Sequence, residues 1–199
     1  IVLIFDEVVT GFRLAYGGAQ ECYGVTPDLC TLGKVIGGGF PLAAITGKAA
    51  LMGLFDKAAG ARWLMQVGTL SGNPVAAAAG LKTLEILRRP GAYDTIRSNG
   101  RQIMAAMTAA LGAEGVPHRL VGDPVLFDVV FTEAPVRQYR DVIGQDTAAA
   151  GRFNAALRPE GVLKPPGKVY VSAALTAADL EQVANAVSVA ARAAAPVAA

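Results

Sequence analysis

The sequence predicts an α/β protein in two parts. Residues 1–89 read as the C-terminal part of a mostly parallel sheet domain with helices, and residues 92–199 as a small α+β domain. Three observations carry this reading. The chain opens on the apolar run Ile1-Val2-Leu3-Ile4-Phe5, of the kind found in strands buried on both faces. Short apolar runs then alternate with glycine-rich loops as far as a strong helix that stops at Pro90-Gly91. Beyond it, long helical periodicity is interspersed with short strands.

Each element has a local reason. Ile1–Phe5 is expected as a central strand ending in Asp6-Glu7, and Asp28–Leu32 and Leu42–Thr46 as two further strands around Gly37-Gly38-Gly39. Residues 14–27 and 47–66 read as irregular segments with some helix. Asn73 is a favoured cap and Pro74 is preorganised for the first helical position, so a helix runs from Pro74 to about Arg89. Tyr93, Ile96, Ile103, Met107 and Leu111 recur at helical spacing, which predicts an amphipathic helix over 92–112. Arg119–Val121 and Val125–Phe131 are expected as strands joined by a Gly122-Asp123-Pro124 turn. A helix over 136–158 follows, then strands at Val162–Leu163 and Lys168–Ser172. Thr176 and Asp179 resemble a capping box and open a terminal helix, with fraying over Pro196–Ala199. A domain that starts on a central strand, without an initiator Met, is expected to lack what precedes it, so the chain reads as a fragment.

Composition excludes several classes of function. At 53% hydrophobic and 17% charged residues, the 199-residue chain can bury a core and is not disordered. Eighteen basic against 16 acidic side chains, without a basic cluster, argue against nucleic acid as a partner. The mean hydropathy of +0.40 owes much to 38 alanines. The longest uncharged stretches, Val35–Gly47 and Trp63–Leu81, are too short or too rich in Gly, Pro and polar residues to span a bilayer. Cys22 and Cys30 fit neither a zinc pattern nor a disulfide framework, and His118 is the one histidine, read as an ordinary strand residue. No metal site is expected, and a reducing, cytoplasmic compartment is.

Three places could do chemistry. Asp6 follows an apolar strand, and ligands of open α/β sheets collect at strand carboxyl ends, although a carboxylate there can equally cap a turn. Lys34 lies among apolar residues and glycines in Leu32-Gly33-Lys34-Val35-Ile36-Gly37-Gly38-Gly39. A lysine stripped of hydration becomes a nucleophilic amine, whereas one in a loop simply reaches for solvent. The three glycines permit close backbone approach to a bound group. A phosphate loop of the Gly-x-x-x-x-Gly-Lys-Ser/Thr type is ruled out, because Asp28 stands where its first glycine belongs and Val35 follows the lysine. Gly68-Thr69-Leu70-Ser71-Gly72-Asn73-Pro74 sets two hydroxyls and backbone amides before a helix N-terminus, which suits a phosphate or is a capped loop with no ligand. Together, a strand-end acid, an imine-forming lysine and a phosphate-binding hydroxyl are what a pyridoxal phosphate site needs.

On these residues the chain resembles the class III, fold-type I aminotransferases. The resemblance rests on Phe5-Asp6-Glu7-Val8-Val9-Thr10-Gly11-Phe12-Arg13, on Pro27-Asp28-Leu29 through Gly39, and on Gly68-Thr69 through Pro74. Within the family the chain is most similar to the glutamate-1-semialdehyde aminomutase-like branch. The resemblance implies that residues 1–89 are part of the cofactor-binding large domain, with pyridoxal 5'-phosphate carried on Lys34 as an imine. It also implies that Asp6 pairs with the pyridinium nitrogen, that Val8 packs on one ring face, and that Thr69 binds the phosphate of the neighbouring subunit's cofactor in a homodimer with shared sites. Glu7 and Arg13 receive no chemical role. Family members are roughly twice as long, with further cofactor and substrate groups upstream. The segment Pro165–Ser172 is shorter than the aminomutase version and lacks its Glu, and Leu175 stands where the family has His. These departures place transamination between an amino acid or amine and a keto acid or aldehyde ahead of intramolecular aminomutation. The 199 residues alone are expected to be inactive, keeping fold and dimer surface.

Overall fold

The computed structural model describes residues 1–196 and divides into two compact units, Ile1–Ala92 and Tyr93–Ala199. The expected fraying over 197–199 lies outside the described residues. In the first unit β1 (Ile4–Glu7), β2 (Leu29–Leu32) and β3 (Ala44–Gly47) form one sheet in that order. β1 and β2 are parallel, whereas β3 returns antiparallel to β2. Between β1 and β2 lies the short helix α1 (Gly18–Tyr23), and after β3 come α2 (Ala49–Met52) and 3-10 turns at Gly53–Phe55 and Lys57–Arg62. The unit closes on α3 (Pro74–Leu87), with Asn73 capping the amides of Val75 and Ala76 and Pro74 at its first position.

The strand expected over Ile1–Phe5 forms at Ile4–Glu7 and is an edge strand among the described residues. β1 pairs with β2 alone among the described residues, and Ile1, Val2, Leu3 and Ile4 are exposed. Its start is instead tied by Asp28, whose carboxylate accepts the Leu3 amide at 2.7 Å and pairs with Lys48 at 2.6 Å.

The second unit contains α4 (Ala92–Ala113), the hairpin β4 (Arg119–Asp123) and β5 (Leu126–Val130), α5 (Tyr139–Ile143), α6 (Thr147–Leu157), β6 (Val169–Tyr170) and α7 (Ala177–Ala194). β5 is the middle strand, antiparallel to both neighbours. The apolar stripe of α4 is buried as its periodicity requires, through Ile96, Ile103, Met107 and Leu111. Gly100 lies on the same helix because a Cβ there would overlap the Pro124 carbonyl. Phe127, Phe131 and Phe153 fill the centre, the last two with ring centroids 5.5 Å apart, and α6 packs on the alanine-rich face of α7.

Five local expectations fail here. The helix expected over 136–158 is two helices, because Asp146 caps a new start by accepting the Ala149 amide and Gly144 ends the first. Val162–Leu163 forms no strand, and the strand expected over 168–172 is only two residues long. The hairpin turns at Pro124-Val125, with Gly122 and Asp123 still paired to β5. His118 lies just before β4 rather than in it, with Nδ1 2.9 Å from the Val116 carbonyl.

α7 does open on the Thr176–Asp179 capping box, with the Thr176 amide donating to Asp179 at 2.8 Å. The Thr176 backbone and hydroxyl donors hold the Asp179 carboxyl below its ordinary 3.8, and the Arg137 and Gln138 amides do the same for Asp141. A carboxyl with a depressed folded value binds fewer protons than the unfolded chain just below pH 3.8. Its contribution is therefore complete above pH 3.8 and fades as pH falls through the folded value. In acid unfolding, Asp179→Asn is expected to flatten the loss of stability below pH 3.8 relative to the parent protein.

Candidate functional site

All sites proposed from sequence fall in the first unit. Asp6 sits near the carboxyl end of β1, and the parallel register pairs it with Thr31 on β2. Its Oδ1 accepts two hydrogen bonds, from the Val8 amide and the Thr31 hydroxyl, both at 3.1 Å. Asp6 is exposed, and Oδ2 accepts no hydrogen bond from the described residues. One oxygen is thus fixed inside the protein and the other is open to a donor.

Lys34 lies two residues past the end of β2, on the same side of the sheet ends as Asp6. It is three residues beyond Asp6's strand partner, a rise of at most about 10 Å, which two side chains with one small ring between them can span. The enclosure expected around Lys34 is not present, because the residue is exposed. Its backbone instead carries the unusual feature: φ is +47°, in the left-handed region that costs a non-glycine residue on the order of 1 kcal/mol. Gly33 before it is extended, and a Cβ there would come within 3.2 Å of Val8, so Val8 is packed beside the lysine turn.

Two of the glycines after Lys34 have packing partners of their own. The 3-10 turn Lys34–Gly37 ends at Gly38, whose φ of +57° and missing Cβ let it approach Thr83 of α3. Gly80 of α3 in turn makes room for Leu42 and the Ile36 carbonyl. A Cβ on Gly39 would meet nothing. Gly38 and Gly80 therefore let the lysine turn lie close against α3, and Gly39 leaves open space beside it.

Thr69 is exposed in the turn that precedes α3. The helix end itself is already satisfied: Asn73 accepts from Val75 and Ala76, and Ser71 and Asn73 donate their amides to Gly68 and Leu70. An anion here would be held by the loop and its hydroxyls, not by spare amides of the helix. A cavity of about 890 Å³ is lined by Val8, Thr31, Leu32, Gly68 and Ser71 among others. Residues next to all three sequence motifs thus face one space, although Asp6, Lys34 and Thr69 are not themselves among its lining.

Glu7 is the residue whose importance the sequence hid. It is 1% exposed, and its carboxylate accepts the Ala19 amide at 2.6 Å, the Gln20 amide at 3.2 Å and the Thr10 hydroxyl at 3.1 Å. A buried carboxylate thereby braces the start of α1 beside Asp6. Gly18 has φ +70° and no Cβ because one would overlap this carboxylate. Only the acidic pair at a strand end hinted at it.

Comparison with known proteins shows the family. The family model of class-III aminotransferases matches residues 1–191. The chain is 44% identical over 184 residues to glutamate-1-semialdehyde 2,1-aminomutase 2 of Brevibacillus brevis, covering 91% of this chain and 42% of that protein. Among solved structures, an omega-transaminase from Sphaerobacter thermophilus superposes with a TM-score of 0.89 at 36% identity, over 98% of this chain and 44% of that one. A transaminase with PLP bound superposes with a TM-score of 0.82 at 31% identity, over 95% and 43% of the two chains. This chain belongs to the class III aminotransferases. It spans less than half the length of these relatives.

Proposed function

We propose that the chain contributes the lysine-bearing half of a pyridoxal-phosphate-dependent aminotransferase, moving an amino group between an amino acid or amine and a keto acid or aldehyde. The observation that carries this reading is the placement of Asp6 and Lys34 at the same end of two adjacent parallel strands, beside a cavity that the Thr69 loop also lines. The residues fit the group: Asp6 offers one oriented carboxylate with an open oxygen, Val8 an apolar surface, and Lys34 an accessible amine. The solved relative with PLP bound supports the cofactor.

Pyridoxal phosphate, when bound, supplies an aldehyde for an amine and a ring that withdraws electrons from the substrate carbon. The protein's part is positioning and proton movement. Lys34 Nζ would be the amine that holds the aldehyde and the base that moves a proton at the substrate carbon. Asp6 would accept the ring N–H, Val8 would support one ring face, and the Thr69 hydroxyl would bind a phosphate presented by a second copy of the chain. Exposed Leu64, Met65, Val67, Leu70 and Val75 on both sides of Thr69 favour such a homodimer, since apolar surface of this extent marks an interface. The unpaired thiols of Cys22 and Cys30 favour a reducing, cytoplasmic location. Among the described residues no helix is long and apolar enough to cross a membrane.

The 44% identical relative bears an aminomutase name, so intramolecular aminomutation is the second reading. Product analysis on the full-length protein with pyridoxal phosphate separates the two. Turnover of an amino donor is expected only when a keto acid or aldehyde acceptor is added. Conversion of a single amino compound into its isomer without an acceptor would establish the mutase instead.

A further inference from the structure

We infer that Thr31 is a positioning residue for this site, its hydroxyl fixing the Asp6 carboxylate so that one oxygen is engaged within the protein and the other is presented to the ring nitrogen of the cofactor. The inference rests on the proposed role of Asp6 and adds to it a residue that lies within the second motif but received no role there.

The parallel register pairs Asp6 with Thr31, so the two side chains project from the same face of neighbouring strands. The Thr31 hydroxyl donates to Asp6 Oδ1 at 3.1 Å, and Thr31 also lines the cavity. The second donor to that oxygen is the Val8 amide, a local turn contact within β1's own chain. A terminal carboxylate torsion is broad, and one local bond leaves it free to rock. A donor from the adjacent strand, on a β-branched side chain with few χ1 states, removes that freedom. The bond is solvent-exposed and joins strands already held by their ladder, so folding gains little from it. Its value lies in where it leaves Oδ2.

The test uses the full-length protein and pyridoxal phosphate, reading the cofactor dissociation constant, the pH profile of its visible absorbance band and the thermal unfolding midpoint. Thr31→Val keeps shape and branching without the donor, and is expected to weaken cofactor binding about tenfold and to shift the pH profile while the midpoint stays put. Thr31→Ser should restore both to within about twofold, since a neutral-to-charged hydrogen bond is regained. In an Asp6→Asn background, which should itself bind poorly, Thr31→Val should have no further effect, because the threonine acts through the carboxylate. Normal binding and pH profile in Thr31→Val alongside a defective Asp6→Asn would overturn the role of Thr31 and leave that of Asp6 standing. An equal loss from Thr31→Val in both backgrounds would also overturn it, as would failure of serine to rescue. An unaffected Asp6→Asn would remove the proposed function of Asp6 and the inference with it.

Discussion

Replacing Lys34 by alanine in the full-length enzyme is expected to lower amino transfer by on the order of 10⁴-fold or more, the scale seen when a group that bonds covalently to the reacting system is removed. Folding should survive. The residue is exposed, and its side chain makes none of the hydrogen bonds or ion pairs described above. Its φ of +47° even predicts the opposite trend for one variant: Lys34→Gly should unfold with a free energy about 1 kcal/mol higher than Lys34→Ala, because glycine adopts that backbone without steric cost. Steady-state kinetics and urea unfolding on the two variants check both parts. A folded Lys34→Ala protein that retains turnover would contradict the assignment, and a Lys34→Gly variant less stable than alanine would contradict the strain.

The largest effect on stability is expected at Glu7. Truncation to alanine removes the acceptor of two backbone amides and a hydroxyl in a buried position. The Ala19 amide is buried, and the Gln20 amide and Thr10 hydroxyl are partly so. A fully buried orphaned donor costs about 1–3 kcal/mol, so Glu7→Ala should lose about 2–3 kcal/mol. Glu7→Gln keeps the shape and one acceptor oxygen but turns an amide donor toward other donors, and should fall between the parent and alanine. Chemical denaturation measures this directly. Indistinguishable midpoints for the parent and Glu7→Ala would show that the carboxylate braces nothing. The consequence for function is positional: Glu7 follows Asp6 in β1, and the loop it anchors leads from the strand end into α1.

What the sequence made legible is what local chemistry decides. Asn73-Pro74 marks the start of α3 and Thr176 with Asp179 the start of α7, because caps act within three residues. The stripe Ile96, Ile103, Met107 and Leu111 reveals α4 because one face of one helix carries it. The break at Gly144–Asp146 was written in the same chemistry but masked by the alanine-rich run that follows. Other features depend on residues distant in the chain. The burial of Glu7 is satisfied by amides 12 and 13 residues away, and the glycines after Lys34 answer to Thr83 and Leu42. The orientation of Asp6 requires the register that sets Thr31 beside it, 25 residues on. The motif order singled out the candidate residues, and the pairing of β1 with β2 supplied the geometry between Asp6 and Thr31.

The central claim is that Lys34 is the amine that bonds the cofactor. Borohydride reduction of the full-length protein loaded with pyridoxal phosphate, followed by peptide mapping, tests it in one step. The adduct is predicted on the peptide containing Lys34 and should vanish in Lys34→Ala. A reduced adduct on Lys48, or on any other lysine of an active preparation, would contradict the account.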